Sequence, residues 1–140
     1  MKLNTGRVAF PIEFDNGEKE FIYFNPNDPD FPVRLKGFVE KVQAKLKKLD
    51  EIKLKEDGTP EAASYMEQFA QAKKAVADEL DYTFGSNVSD VVFKFCSPFA
   101  LIDGKYFIAQ FIEAITPEIV GYLEVANADK INKHIGKYKD

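Results

Sequence analysis

Few side chains in this sequence belong to the types that do covalent or acid–base chemistry. Its 140 residues include one cysteine, Cys96, and one histidine, His134. A thiol becomes a nucleophile when a base or positive charge holds it as thiolate. Cys96 stands between Phe95 and Ser97, a setting that predicts a buried structural thiol. His134 falls in a lysine-rich tail, and one Cys with one His cannot supply the usual ligand set of a zinc site. Asp78, Glu79 and Asp81 are grouped carboxylates. Asp78 and Asp81 lie one helical turn apart on an expected wet face, with no histidine or second acid pair beside them to share a proton. Ser64, Ser86, Ser89 and Ser97 have no nucleophile context, and no glycine-rich phosphate loop occurs. The expectation is a non-enzymatic protein with no catalytic, cofactor-binding or metal-binding residue.

The elements that would position any site follow from composition and periodicity. With 45% hydrophobic and 30% charged residues, 13 Phe and no Trp, the chain reads as one globular domain over residues 1–140. A chain of this size buries roughly two thirds of its unfolded surface and folds without disulfides or metal. The net charge of −4 speaks against nucleic acid as a partner. Lys36, Lys41, Lys45, Lys47, Lys48, Lys53 and Lys55 crowd one segment, but Glu40, Asp50, Glu51 and Glu56 are interleaved, which describes a solvated helix face of mixed sign. MKLNTGRVAF lacks the apolar core of a signal peptide, and no stretch approaches the roughly 18 apolar residues of a membrane span. The expected setting is cytoplasmic, with no membrane partner.

The predicted fold class is α+β, an N-terminal β-hairpin at about 7–24 followed by a mainly α-helical single domain. Val8, Phe10, Ile12 and Phe14 alternate with other residues, Asn16-Gly17 interrupts, and Phe21 and Tyr23 resume the period. A two-residue type I′ loop at Asn16-Gly17 sets Ile12 opposite Phe21 and Phe10 opposite Tyr23 on one face, with Ala9, Pro11, Ile22 and Phe24 on the other. The cluster Asn25-Pro26-Asn27-Asp28-Pro29-Asp30 is a turn. Leu35, Phe38, Val39, Val42, Leu46, Leu49 and Ile52 then predict a helix over about 30–54, with Gly37 as a mark of close packing. Lys55-Glu56-Asp57-Gly58 connects, and Thr59-Pro60-Glu61 opens a helix over about 59–84 with Ala62, Met66, Phe69, Val76, Leu80 and Phe84 on one face. Gly85 is expected to end it in the left-handed conformation. Ser89-Asp90 caps a short contiguous apolar segment, Val91 to Phe95, expected to be buried. Ser97-Pro98 breaks, Asp103-Gly104 turns, and helices follow over about 104–116 and 117–134. Phe107, Ile108, Phe111, Ile112 and Ile115 mark the first of these; Thr116-Pro117-Glu118 opens the second, marked by Ile119, Val120, Leu123, Ile131 and Ile135. The last residues, HIGKYKD, are expected to fray.

Five of these features stand in one order. The hairpin is followed by Asn25-Pro26-Asn27-Asp28-Pro29 with Phe31, then by Leu80, Asp81, Phe84 and Gly85 as L-D-x-x-F-G, then by Val92-Phe93, then by Phe111 and Pro117. In that order and spacing, over most of its length, the chain resembles the tail assembly chaperones of long-tailed (siphovirus-type) phages and prophages of Gram-positive bacteria. The lysine-rich first helix departs from that pattern. The resemblance implies a non-enzymatic viral protein of the host cytoplasm that binds and solubilises the tape-measure protein, helps recruit tail-tube subunits, and is absent from the mature virion. It also implies, for many members, a longer form made by ribosomal frameshifting. The alternative is a structural tail or head-tail component retained in the virion; a small enzyme or regulator is a third class.

A chaperone of this kind needs an apolar surface left over from its core. Ile119, Val120 and Leu123 lie beyond Pro117 in a stretch with few charges before Lys130, and they are the residues predicted to meet a partner or a second copy of the chain.

Overall fold

The computed structural model describes the backbone of residues 1–51 and 62–137 and the side chains of residues 1–51 and 66–124. The expectations at Ile52, the 55–58 connection and the Thr59-Pro60-Glu61 cap fall outside the described residues, as do the side chains of Ala62, Ser64, Ile131, His134 and Ile135 and the fraying of residues 138–140. An N-terminal antiparallel hairpin, β1 (Val8–Glu13) and β2 (Lys19–Phe24), precedes helices α1 (Phe31–Asp50), α2 (Ala62–Phe84) and α3 (Ser89–Val92). Two short strands, β3 (Leu101–Ile102) and β4 (Lys105–Tyr106), lead into α4 (Phe107–Lys137). The α+β class is as the sequence predicts.

The hairpin register is not. Phe10 faces Ile22 and Pro11 faces Phe21, one residue away from the expected pairing. Phe14 N–H donates to the Glu18 carbonyl and Gly17 N–H to the Phe14 carbonyl, each at 2.9 Å, and Gly17 has φ +86°. This is a three-residue loop with a glycine bulge, where a type I′ turn would have needed positive φ at Asn16 as well. A one-residue slip exchanges the faces of a strand. Ile22 and Phe24 therefore join Val8, Phe10 and Ile12 against the core, while Phe21 and Tyr23 face solvent. Pro11 sits in a pair that exchanges no ladder bond, so its missing N–H costs the hairpin nothing. The type I′ geometry appears instead at Asp103-Gly104, with φ of 53° and 79°, between β3 and β4.

Phe24 is the centre of an aromatic cluster. Its ring stacks on Phe31 at 5.2 Å and meets Phe84 and Tyr122 edge-on at 6.1 and 5.5 Å, so hairpin, α1, α2 and α4 converge on one side chain. Each such pair contributes about 0.5–1.5 kcal/mol beyond the area it buries. The α1 seam holds at Phe38 and Val42, which are buried, and at Leu35, Leu46 and Leu49, which pack against the core. Gly37 marks no close packing, because a Cβ there would meet nothing within 4 Å. On α2, Met66 is exposed and not on the core face.

Pro117 does not separate two helices. It lies inside α4, and the helix begins at Phe107 because Lys105-Tyr106 are a strand. The Thr116 hydroxyl caps nothing downstream; it donates to the Ile112 carbonyl at 2.6 Å, one turn back. A proline inside a helix costs about 3 kcal/mol. Buried Ile108, Ile115 and Ile119 on the same helix, on both sides of the proline, offset that cost through continuous packing.

Candidate functional site

The Asn25-to-Phe31 stretch and L-D-x-x-F-G form two joints that hold the core together. In the first, Asn25 Nδ2 donates to the Thr5 carbonyl at 2.6 Å and Asn27 Nδ2 to the Gly6 carbonyl at 3.2 Å, clasping the N-terminal segment to the start of α1. Gly6 must be glycine: its φ is +76°, and a Cβ would come within 2.6 Å of Asn27 Nδ2. Asp28 accepts from Asp30 N–H at 2.9 Å and from Arg34 at 3.1 Å, and Arg34 Nε reaches the Thr83 carbonyl at 3.2 Å near the end of α2. The Asp30 amide first, and the Arg34 guanidinium second, hold the Asp28 carboxyl below its ordinary pKa.

The second joint explains L-D-x-x-F-G. Leu80 and Phe84 are core, Gly85 has φ +70°, and its N–H closes the helix on the Asp81 carbonyl at 2.9 Å. The Asp81 side chain is neither wet nor idle. Its Oδ1 accepts from Val88 N–H at 2.8 Å and Ser89 N–H at 2.7 Å, and its Oδ2 accepts from the Ser89 hydroxyl at 2.7 Å. The carboxylate thus caps α3 from the preceding helix, a role that Ser89-Asp90 were expected to fill locally. Asp78 is exposed, and Glu79 pairs with Lys41 of α1 at 3.1 Å. The three carboxylates therefore do not converge on one point.

Beyond α3 the character of the surface changes. Val92 is buried, but Phe95 is 48% exposed, so the apolar run is not wholly covered as expected. An open groove of about 460 Å³ runs between the hairpin end, the segment after α3 and the first turns of α4. Ile12, Phe14, Phe95, Ile102, Phe107 and Phe111 supply its apolar lining. Phe14 and Phe95 meet edge-on at 5.0 Å. Lys94 fixes this wall, reaching Glu18 at 3.1 Å and Glu20 at 3.0 Å, and those two carboxylates raise its pKa. Ile102 is 43% exposed and Leu101 still more so.

Cys96 lines the groove and is half-buried. Desolvation, and then the negative charge of Asp15, push its thiol pKa up, the opposite of what a nucleophile needs. Among the described residues no group of three or more His, Cys, Asp and Glu gathers in a way that could hold a metal ion, and no helix is long and apolar enough to cross a membrane.

No family model, curated protein or solved structure matches this chain. The residues themselves therefore carry the functional argument. Of the three predicted partner-binding residues, Ile119 is 0% exposed and belongs to the core, which removes it from any surface. Val120 is 43% exposed, and Leu123 is half-buried against the core. Ile119 and Leu123, one turn apart, turn inward, and Val120 is the exposed one of the three. The groove was missed because its lining comes from four separate stretches, residues 12–15, 92–96, 102 and 107–114. Its one sequence signal was the mainly apolar stretch Val91 to Phe95, interrupted by Lys94 and longer than α3 can bury.

Proposed function

We propose that this chain is a non-enzymatic phage tail assembly chaperone, which binds and solubilises the tape-measure protein and helps recruit tail-tube subunits. The observation that carries the reading is the open groove lined by Phe14, Phe95, Ile102, Phe107 and Phe111, a largely apolar channel at the surface. An amphipathic helix of a long partner lays its apolar stripe into such a channel, and covering that stripe needs no nucleotide. The ordered motifs from Asn25 to Pro117 support the same family. Binding at each groove is weak and is summed over many copies along one tape-measure chain. The protein acts in the host cytoplasm and is left behind when the tail is complete.

Co-expression with the tape-measure protein of the same genome tests this. The partner should be soluble and copurify with this chain, and purified virions should lack it. A tape-measure protein equally soluble without this chain overturns the chaperone reading. Stoichiometric recovery from virions supports a structural tail component instead.

A further inference from the structure

The groove is apolar within but not neutral at its edge. Glu13 and Asp15 line it from the hairpin end, and neither forms an ion pair among the described residues. Glu18 and Glu20 stand close by and are shared by Lys94, while Lys19 faces Glu13 across the hairpin. Four carboxylates against two ammonium groups leave this end of the groove negative. The opposite wall, from α4, presents Gln110 and Ala114, which carry no charge.

We propose that the groove selects amphipathic helices whose apolar stripe is bordered by lysine or arginine, and discriminates against helices bordered by glutamate or aspartate. This rests on the chaperone reading for its partner and adds the chemistry of the segment recognised. A basic border meets Glu13 and Asp15, and its aliphatic stems extend the apolar contact over Phe95 and Ile102. An acidic border meets like charge. Exposed ion pairs are individually weak, so two of them give a preference of roughly two- to thirtyfold at low salt, shrinking as salt rises.

Cys96 reports occupancy of the groove, since it is the chain's only cysteine and lies in the lining. The full chain is alkylated with N-ethylmaleimide at mildly alkaline pH, alone and with two synthetic helical peptides. The peptides share one leucine stripe and differ only in having lysine or glutamate beside it. The lysine peptide should protect Cys96 at about two- to thirtyfold lower concentration than the glutamate peptide. The double variant Glu13→Gln/Asp15→Asn, compared with its own peptide-free rate, should lose the preference and keep the apolar binding. Equal protection by both peptides overturns the proposal. So does protection that grows with the chain's own concentration in the absence of peptide, which assigns the groove to a second copy. If the tape-measure protein is carried in solution while Cys96 stays freely reactive, the chaperone reading stands and this inference falls. If the lysine peptide protects but the tape-measure protein is not carried, the inference stands and the chaperone reading falls.

Discussion

The α2–α3 joint and the groove begin within a few residues of each other, yet they treat their side chains in opposite ways. At the joint the motif's defining side chains are used inside the molecule: Leu80 and Phe84 are buried, and the Asp81 carboxylate accepts three hydrogen bonds. At the groove Phe95 and Ile102 remain nearly half exposed, although buried positions exist a few residues away at Val92 and Ile108. Burying the exposed half of either side chain would add stability of about 1 kcal/mol. A satisfied region serves the fold. A region that leaves large apolar groups in water is the one free to serve a partner.

That contrast predicts where substitutions act. The largest expected effect is at Asp81→Ala, which strands two backbone N–H groups and a hydroxyl and should lower stability by about 3 kcal/mol in denaturant melts. Asp81→Asn, which retains an acceptor, should cost less. An unchanged stability of Asp81→Ala would mean that these hydrogen bonds do not matter to the joint. Next comes Gly85→Val. No atom lies within 4 Å of a Cβ at that site, so the cost is conformational, about 1–2 kcal/mol for forcing a branched residue to φ +70°. An unchanged midpoint would show that α2 does not depend on this turn.

The clasp at Asp28 has a pH signature. Its folded-state pKa is depressed, by Asp30 N–H and then by Arg34, so its contribution is full above the unfolded carboxylate pKa and is lost as pH falls through the folded value. Asp28→Asn should therefore reduce stability at neutral pH and flatten the acid limb of the stability curve. Parallel acid limbs for the two proteins would remove Asp28 from the account. The smallest effect on stability is expected in the groove, where Phe95→Asp and Ile102→Asp each remove a half-buried apolar side chain and should cost about 1 kcal/mol.

The sequence was informative where local chemistry decides and ambiguous where distant packing does. Gly85 announced its positive φ, because a helix that stops at Phe84 needs a residue able to turn left-handed. The hairpin was legible as a hairpin, but Phe21-Ile22-Tyr23-Phe24 is apolar at all four positions, so alternation alone could not choose its face. The core chose Ile22 and Phe24, and the loop became three residues to suit. Thr116-Pro117-Glu118 carries a strong local opening signal, which the packing of Ile108, Ile115 and Ile119 along one helix overrides. Asp81 appeared surplus because its partners, Val88 and Ser89, come within reach only after the chain has turned at Gly85. Val120 and Leu123 sit on the helix expected to meet a partner, but the continuous α4 turns Leu123 inward and leaves Val120 without exposed apolar neighbours on the next turn.

The most direct measurement compares two surfaces in one assay, copurification of the tape-measure protein with the Phe95→Asp/Ile102→Asp double variant and with Val120→Asp. All three altered residues are comparably exposed, so each variant should keep a single cooperative thermal melt, lowered by several degrees at most per substitution. The account predicts that the groove variant loses the partner while Val120→Asp retains it. Retention by the groove variant, or equal loss from both, would contradict the assignment of partner binding to the groove.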